Sequence, residues 1–361
     1  MTKTIEINGS NYEVNFSKSY LNQAEQHLIK SKIDKQNEVE HLTKAQQLID
    51  RARINNIIAK TELQNNNFIL KDKPKTRFSD ISGLEDVKEK IKLKVIEPLK
   101  NPKLFELFNK KFGGGIIMYG PPGCGKSFFA EATAGEAGVT YFNVKASDIK
   151  GKYVGETEKN ISELFKLAKK NQPCVIFFDE FEALGRERGD AVGHDKSMVS
   201  HLLTEIDGLG NKDKQIMLIA ATNEPWSIDL ALRREGRFGK TIFIPPPDFE
   251  GRSGILKNKL NGKPVDPSFD FDLIVRCMEN YSGADIMEVC EAAIEKVISR
   301  CLKDKKVYLI TTNDLLGAIE EKTELITVKW FNKALKIIEN DQSSFKELIE
   351  YVDNNLKAVA S

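Results

Sequence analysis

One eight-residue stretch constrains this chain more than any other: Gly120-Pro121-Pro122-Gly123-Cys124-Gly125-Lys126-Ser127. An apolar, strand-like run, Ile116-Ile117-Met118-Tyr119, precedes it, and residues 128–137, opening with Phe128, read as a helix. All eight positions of G-x-x-x-x-G-K-[ST] are matched in the strand–loop–helix context that the pattern requires. The glycines let the backbone curl until successive N–H groups point inward at phosphate oxygens, and the helix N-terminus adds its positive end. Lys126 is then placed for the β- and γ-phosphates, and the Ser127 hydroxyl for a Mg2+ ion. The alternative is a glycine-rich turn that binds nothing, and a full match in the right context leaves it little room.

Downstream, Pro173-Cys174-Val175-Ile176-Phe177-Phe178 is a continuous apolar run, as a strand buried on both faces requires, and it ends in Asp179-Glu180. Carboxylates at the C-terminal end of such a strand sit beside the ligand crevice of an open α/β sheet. Asp179 suits a metal, directly or through its water shell, and Glu180 suits the activation of a water. Ordinary turn acids are the competing reading, weakened by the phosphate loop upstream. A second apolar run, Ile216-Met217-Leu218-Ile219-Ala220-Ala221, leads to Thr222-Asn223. An amide there can hydrogen-bond both a γ-phosphate and the attacking water. Next comes Ala231-Leu232-Arg233-Arg234-Glu235-Gly236-Arg237-Phe238. Arginines supplied from outside a phosphoryl-transfer site raise its rate by about 10³–10⁵, whereas surface arginines paired with local acids contribute little. Spacing alone leaves both readings of Arg234 and Arg237 open.

From residue 78 to Pro245-Pro246-Pro247 strands, glycine loops and helices alternate, which predicts a parallel sheet with helices on both faces. Beyond the prolines the pattern is helical. Ser282-Gly283-Ala284-Asp285 reads as a capping box opening a helix with Ile286, Val289, Ala293, Val297 and Cys301 on its apolar face. Ser344 with Glu347 repeats the signal before a last helix carrying Phe345, Leu348, Ile349 and Val352. At the start of the chain, Ile5, Ile7, Asn8-Gly9, Tyr12, Val14 and Phe16 predict a β-hairpin. Residues 17–64 take a helical period, with Val39, Leu42, Ala45, Ile49 and Ala52 on one stripe. They read as a helical hairpin packed on itself or on a neighbour, or as a docking module. Residues 65–76 read as a linker.

Lys plus Arg total 54 against 53 for Asp plus Glu, a net charge of +1 that offers no electrostatic stripe for nucleic acid. No apolar run is long enough to span a bilayer, the N-terminus lacks a signal-peptide core, and the five cysteines form no Cys-x-x-Cys pair. A cytoplasmic protein with reduced thiols is the expectation.

Taken together, the order of motifs over residues 78–316 resembles the AAA ATPases of the group that contains the proteasomal ATPases, katanin, spastin and valosin-containing protein. The resemblance implies an α/β fold: a P-loop NTPase parallel sheet sandwiched by helices, followed by a small helical lid, here after an N-terminal β-hairpin and helical module. It implies ATP and Mg2+ as cofactors. Asp80, Ile81 and Ser82, in Phe78-Ser79-Asp80-Ile81-Ser82-Gly83-Leu84, match the family's entry segment beside adenine. Gly283 and Ala284 match the segment that closes over the nucleotide from the lid. Asp179-Glu180 match Walker B, Asn223 matches sensor 1, Arg234 and Arg237 match the arginine fingers, and Asp207 matches an acid near the subunit interface. Lys152, Tyr153 and Val154, flanked by Gly151 and Gly155, resemble the pore loop that grips an extended polypeptide. Gly185-Arg186-Glu187-Arg188-Gly189 resembles a second pore loop. Where some members carry a histidine near the base, this chain has Lys259. The Trp330-Phe331 region and the final helix resemble a C-terminal extension of single-ring prokaryotic members.

The implied domains are 1–76, a hairpin and helical module with linker; 77–247, the large ATPase domain; 248–322, the small helical domain; and 323–361, the helical extension. The implied function is an ATP-dependent unfoldase, remodelling or disassembly motor, working as a homo-oligomeric, most simply hexameric, ring on polypeptide substrates. A nucleotide-gated scaffold and a nucleic-acid-associated ATPase are the alternatives. With no His-Glu-x-x-His in the sequence, proteolysis by this chain is not expected.

Overall fold

The computed structural model describes residues 2–7, 10–15, 44, 69–71, 73–108, 114–151, 155–185, 193–209, 215–322, 325–339 and 342–355. The chain divides into two compact units, Met1–Asn67 and Phe68–Ser361. In the first, β1 (Thr2–Ile7) and β2 (Ser10–Asn15) pair antiparallel, with Ile5 opposite Tyr12 and Ile7 opposite Ser10. That register leaves two residues for the connection, as the Asn8-Gly9 reading requires. The turn itself, Phe16 and the helical stripe of 17–64 lie outside the described residues.

The second unit is built on a six-stranded sheet in the order β3-β5-β6-β7-β4-β8. Its strands are β3 (Ile69–Lys71), β4 (Gly115–Tyr119), β5 (Thr140–Lys145), β6 (Cys174–Asp179), β7 (Ile216–Thr222) and β8 (Lys240–Phe243). Five of the six run parallel; β3 pairs antiparallel with β5 and forms an edge. This corrects the reading of 65–76 as linker, since three of its residues supply sheet hydrogen bonds. Three residues are too short for a period-two signal, so pairing with β5 decides their state.

All residues of β4 and β7 are buried, because helices cover both faces. Alternation assigns the faces. Ile116, Met118, Val175, Phe177, Met217 and Ile219 pack with α1 (Glu85–Ile91) and α2 (Lys126–Ala137). Ile117, Tyr119, Ile176, Phe178, Leu218 and Ala220 face α3 (Glu156–Lys170) and α4 (Gly193–Asp207). Each fully buried Ile or Phe contributes about 1.5–3 kcal/mol, so one order of side chains stabilises two layers of helix.

After the sheet, α5 (Phe249–Leu260), α6 (Phe271–Cys277), α7 (Gly283–Asp304) and α8 (Thr312–Glu321) enclose a separate small core. The predicted capping box forms: Ser282 Oγ accepts from Asp285 N at 3.0 Å, and Ser282 N donates to Asp285 Oδ2 at 3.0 Å. Such a cap is worth about 1 kcal/mol. Ile286, Val289, Ala293 and Val297 are buried, and Cys301 is half-buried.

The last two helices, α9 (Ile326–Ile338) and α10 (Lys346–Asn355), join the core of the sheet rather than that of the small helical bundle. Trp330, Phe331, Ala334, Ile338, Phe345, Leu348 and Val352 pack with Tyr119, Phe238 and Phe243. Glu347, read as half of a capping box with Ser344, makes tertiary contacts. Glu347 turns both oxygens to the sheet side, accepting from Phe243 N at 2.9 Å and Lys90 Nζ at 3.0 Å.

Candidate nucleotide site

The phosphate loop leaves the C-terminal end of β4, the strand between β7 and β8. Tyr119 O accepts from Ile244 N at 2.7 Å, which draws the exit of β8 against the loop. A Cβ on Gly120 would lie 2.1 Å from Ile244 O, so no other residue fits this turn. Gly123 has φ +76°, and its added Cβ would meet Ala284 Cβ at 2.7 Å and Ser282 Oγ at 2.9 Å. The loop and the start of α7 are therefore in direct contact, with Ala284 N donating to Gly123 O at 3.3 Å.

Lys126 opens α2 and is 8% exposed. Its ammonium donates to Gly120 O at 2.9 Å and Pro121 O at 2.8 Å. Burial pulls its pKa down to about 8, against the opposing pull of Cys124, Glu182 and Asp179. The neighbouring Cys124 thiol is pushed up to about 12 by burial, so it stays neutral.

Asp179 ends β6 beside the loop. Its Oδ2 accepts from Ser127 Oγ at 3.0 Å and its Oδ1 from Glu180 N at 3.0 Å. A hydroxyl and a carboxylate at this separation are hard oxygen donors of the kind Mg2+ takes, so the residues fit that ion. Glu180 is exposed and held at φ +50°, a left-handed conformation that non-glycine residues adopt at a cost. Phe181 N donates to Ala221 O at 2.9 Å and fixes the turn against β7. Asn223 follows the end of β7, and its buried Oδ1 lacks a hydrogen-bond partner among the described residues. An unpaired buried acceptor costs roughly 1–3 kcal/mol, a penalty that a donor entering the site would relieve.

Glu182 was missed by the sequence reading. One oxygen accepts from Asn223 N at 3.5 Å; the other is buried without a partner among the described residues, and the carboxylate's charge acts on Lys126. The only sequence signal was an acid two positions beyond Glu180, which looks like an ordinary first-turn residue.

Above the loop is a cavity of about 370 Å3 with mostly apolar walls. Asp80, Ile81 and Ser82 line it from the entry segment, and Gly123, Cys124, Gly125 and Phe128 from the loop and α2. Ile255, Asn258, Gly283 and Met287 close it from the small helical domain. Its size and character suit a planar heterocycle. Lys259 does not line this space: it pairs with Glu291, and Asn258 is the polar side chain that does. On a helix a one-residue shift turns a side chain by about 100°, which suffices to exchange those roles.

Arg237 and Arg234 lie elsewhere. Gly115 N donates to Arg237 O, at the opposite end of β4 from the phosphate loop. Arg237 makes a two-pronged pair with Asp207, Nε to Oδ1 at 2.8 Å and Nη2 to Oδ2 at 2.6 Å, and donates from Nη1 to Ala231 O at 2.8 Å. This bond holds the Asp207 carboxyl below its usual range and raises Arg237. Arg234 is exposed. Lys152, Tyr153 and Val154 lie outside the described residues, as do Arg186, Glu187, Arg188 and Gly189.

A parallel sheet with a glycine-rich cradle at a central strand end, strand-end carboxylates and a base-sized cavity defines a P-loop nucleoside triphosphatase with a helical lid. The profile of the ATPase family associated with various cellular activities (AAA) matches residues 116–246, and that of the AAA+ lid domain matches 268–316. The chain belongs to the AAA ATPases. It is 39% identical over 290 residues to the cell division cycle protein 48 homolog of Archaeoglobus fulgidus, covering 78% of this chain and 38% of that protein. It is 36% identical over 267 residues to the ATP-dependent zinc metalloprotease FtsH 3 of Symbiobacterium thermophilum, covering 72% and 42%. To protein SAV of Sulfolobus acidocaldarius it is 34% identical over 302 residues, covering 77% and 38%. The chain thus spans less than half the length of each. Among the described residues no helix is long and apolar enough to cross a membrane.

Proposed function

We propose that this ATPase works in the cytoplasm as a homo-oligomeric ring, most simply a hexamer, that hydrolyses ATP between subunits and uses it to remodel polypeptides. One observation carries the intersubunit part. The Arg234–Arg237 segment adjoins Gly115, four strand steps, about 13 Å, from Tyr119 at the phosphate end of the same strand. That is more than an arginine side chain spans, so Arg237 serves another copy's nucleotide or none, and Arg234, three residues before it and exposed, is read with it.

In this reading Lys126 and the loop N–H groups hold the phosphates, and Asp80, Ile81, Ser82, Phe128, Gly283 and Ala284 surround the base and close over it. Ser127 and Asp179 would hold Mg2+, which when bound supplies charge compensation to the β- and γ-oxygens. Glu180 accepts a proton from the attacking water, and Asn223 orients that water through its unpaired oxygen. Arg234, exposed at the subunit edge, neutralises charge on the neighbour's transferring phosphoryl group. Arg237, locked by Asp207, sets the position of that edge.

The test mixes two inactive chains. Arg234→Ala should keep ATP binding and lose turnover, and Glu180→Gln should bind and not hydrolyse. Mixed together, the Arg234→Ala sites are served by arginines of Glu180→Gln neighbours, and ATPase activity should partly return. No recovery at any ratio would sink action in trans.

The polypeptide part rests on Lys152, Tyr153 and Val154. The segment leaves Gly151, packed so tightly that an added Cβ would lie 2.4 Å from Glu156 Cβ, and returns at Gly155, whose φ of +83° opens α3. Two glycines with an aromatic and an aliphatic tip suit a sequence-tolerant grip. Tyr153→Ala should keep basal ATPase and lose substrate unfolding. Unfolding at the parent rate would point instead to a nucleotide-gated scaffold.

A further inference from the structure

The helical pair α9–α10 touches the ATPase body beside three of the positions assigned above, while lining none of the base cavity. The Trp330 indole N–H donates to the backbone carbonyl of Asn223 at 2.6 Å. One turn along α9, Lys333 Nζ pairs with Glu224 at 2.6 Å. Immediately before α10, the Phe345 ring lies 5.7 Å from Tyr119, which immediately precedes Gly120, and 5.3 Å beneath the guanidinium of Arg233, which precedes Arg234.

We propose that Trp330 is a positioning residue: its N–H pins the Asn223 peptide so that the side-chain amide faces the water and the γ-phosphate in the productive orientation. Asn223 Oδ1 is buried without a partner among the described residues, so side-chain bonds do not orient that oxygen. Orientation comes through the backbone, held on one side by the long 3.5 Å bond from Asn223 N to Glu182 and on the other by Trp330. The shorter of the two comes from α9. The indole is itself fixed, 7% exposed, stacked at 18° on Phe243, and 5.3 and 5.8 Å from Phe331 and Trp226. A phenyl ring would fill this apolar space nearly as well; only tryptophan adds a donor at its rim. Misplacing a catalytic amide by a fraction of an ångström lowers rate without removing any substrate contact.

The inference rests on the proposed role of Asn223, and the experiment separates the two. Full-length Trp330→Phe, Asn223→Ala and the double variant are compared for kcat, ATP Kd and thermal midpoint. Trp330→Phe should lower kcat roughly three- to tenfold with ATP Kd within about twofold. In the Asn223→Ala background the same change should add nothing, because the amide it positions is gone. A benzothiophene analogue of tryptophan placed at 330 keeps the bicyclic shape and removes only the N–H. It should reproduce the kcat loss even where phenylalanine loosens the fold. Unchanged kcat in both donor-free variants overturns the proposal, as does a loss that multiplies with that of Asn223→Ala. Normal turnover in Asn223→Ala alone removes the sensor role itself, and the positioning role with it.

Discussion

The charge on Lys126 offers a quantitative test of how the cradle works. Burial holds the ammonium near pKa 8 in the nucleotide-free protein. A bound triphosphate places several negative charges beside it, which favours the charged form and moves the value up, so binding is coupled to protonation. At pH 7 about nine in ten molecules carry the charge, and at pH 9.5 about one in thirty. If only the charged form binds well, ATP affinity should fall roughly thirtyfold between those pH values, about 2 kcal/mol. With Mg2+ present in the titration, the γ-phosphate of ATP is deprotonated throughout this window. Titration calorimetry across pH 7–9.5, in two buffers of different ionisation enthalpy, reads both quantities: the weakening and the uptake of close to one proton per ATP at the alkaline end. Lys126→Arg keeps its charge throughout and should bind with a flat profile, even if more weakly, because its planar fork fits the loop differently. The linkage also has a sign for folding. Because the folded-state pKa lies below the unfolded one, the charged amine costs stability below about pH 8, and that cost fades as pH climbs toward 10.5. Constant affinity to pH 9.5 with no proton uptake would refute the desolvated cradle.

Gly123→Ala places a methyl 2.7 Å from Ala284 Cβ on a left-handed backbone. It should push the lid off the loop and weaken ATP binding more than tenfold, about 1.4 kcal/mol, in an equilibrium titration; parental affinity would mean that loop and lid need not touch. Glu347→Ala leaves the Phe243 N–H without its acceptor and should cost about 1–3 kcal/mol in urea unfolding. Glu347→Gln keeps an accepting oxygen and should recover most of that loss, and equal losses in both variants would assign the effect to the exposed Lys90 pair instead.

Local signals told the truth where the chemistry is local. The eight residues from Gly120 to Ser127 carry their own backbone geometry, Ser282 and Asp285 cap a helix within one turn, and the apolar runs before Asp179 and Asn223 are legible because a strand buried on both faces tolerates nothing polar. Readings that required a distant partner fared differently. Ile69–Lys71 looked like linker because three residues have no period, and β5 makes them a strand. Glu347 read only as half of a cap, and its oxygens also reach Phe243 and Lys90, which no local pattern shows. Glu182 passed for a helix-start acid because its charge matters only once Lys126 folds over it. Of the two readings of Arg237, the fold displays the pairing with a local acid, Asp207, which lies thirty residues away along the chain.

The amino-acid sequence by itself determined the phosphate cradle, the strand-end carboxylates and the order of sheet and lid, because each follows from hydrogen bonds and steric limits within a few neighbouring residues. Only the tertiary structure decided which face α9 and α10 cover, which side chain reaches the base cavity and what holds the backbone of Asn223. Those outcomes depend on apolar surfaces meeting across more than a hundred residues of chain, and no local period records which surface will be the partner.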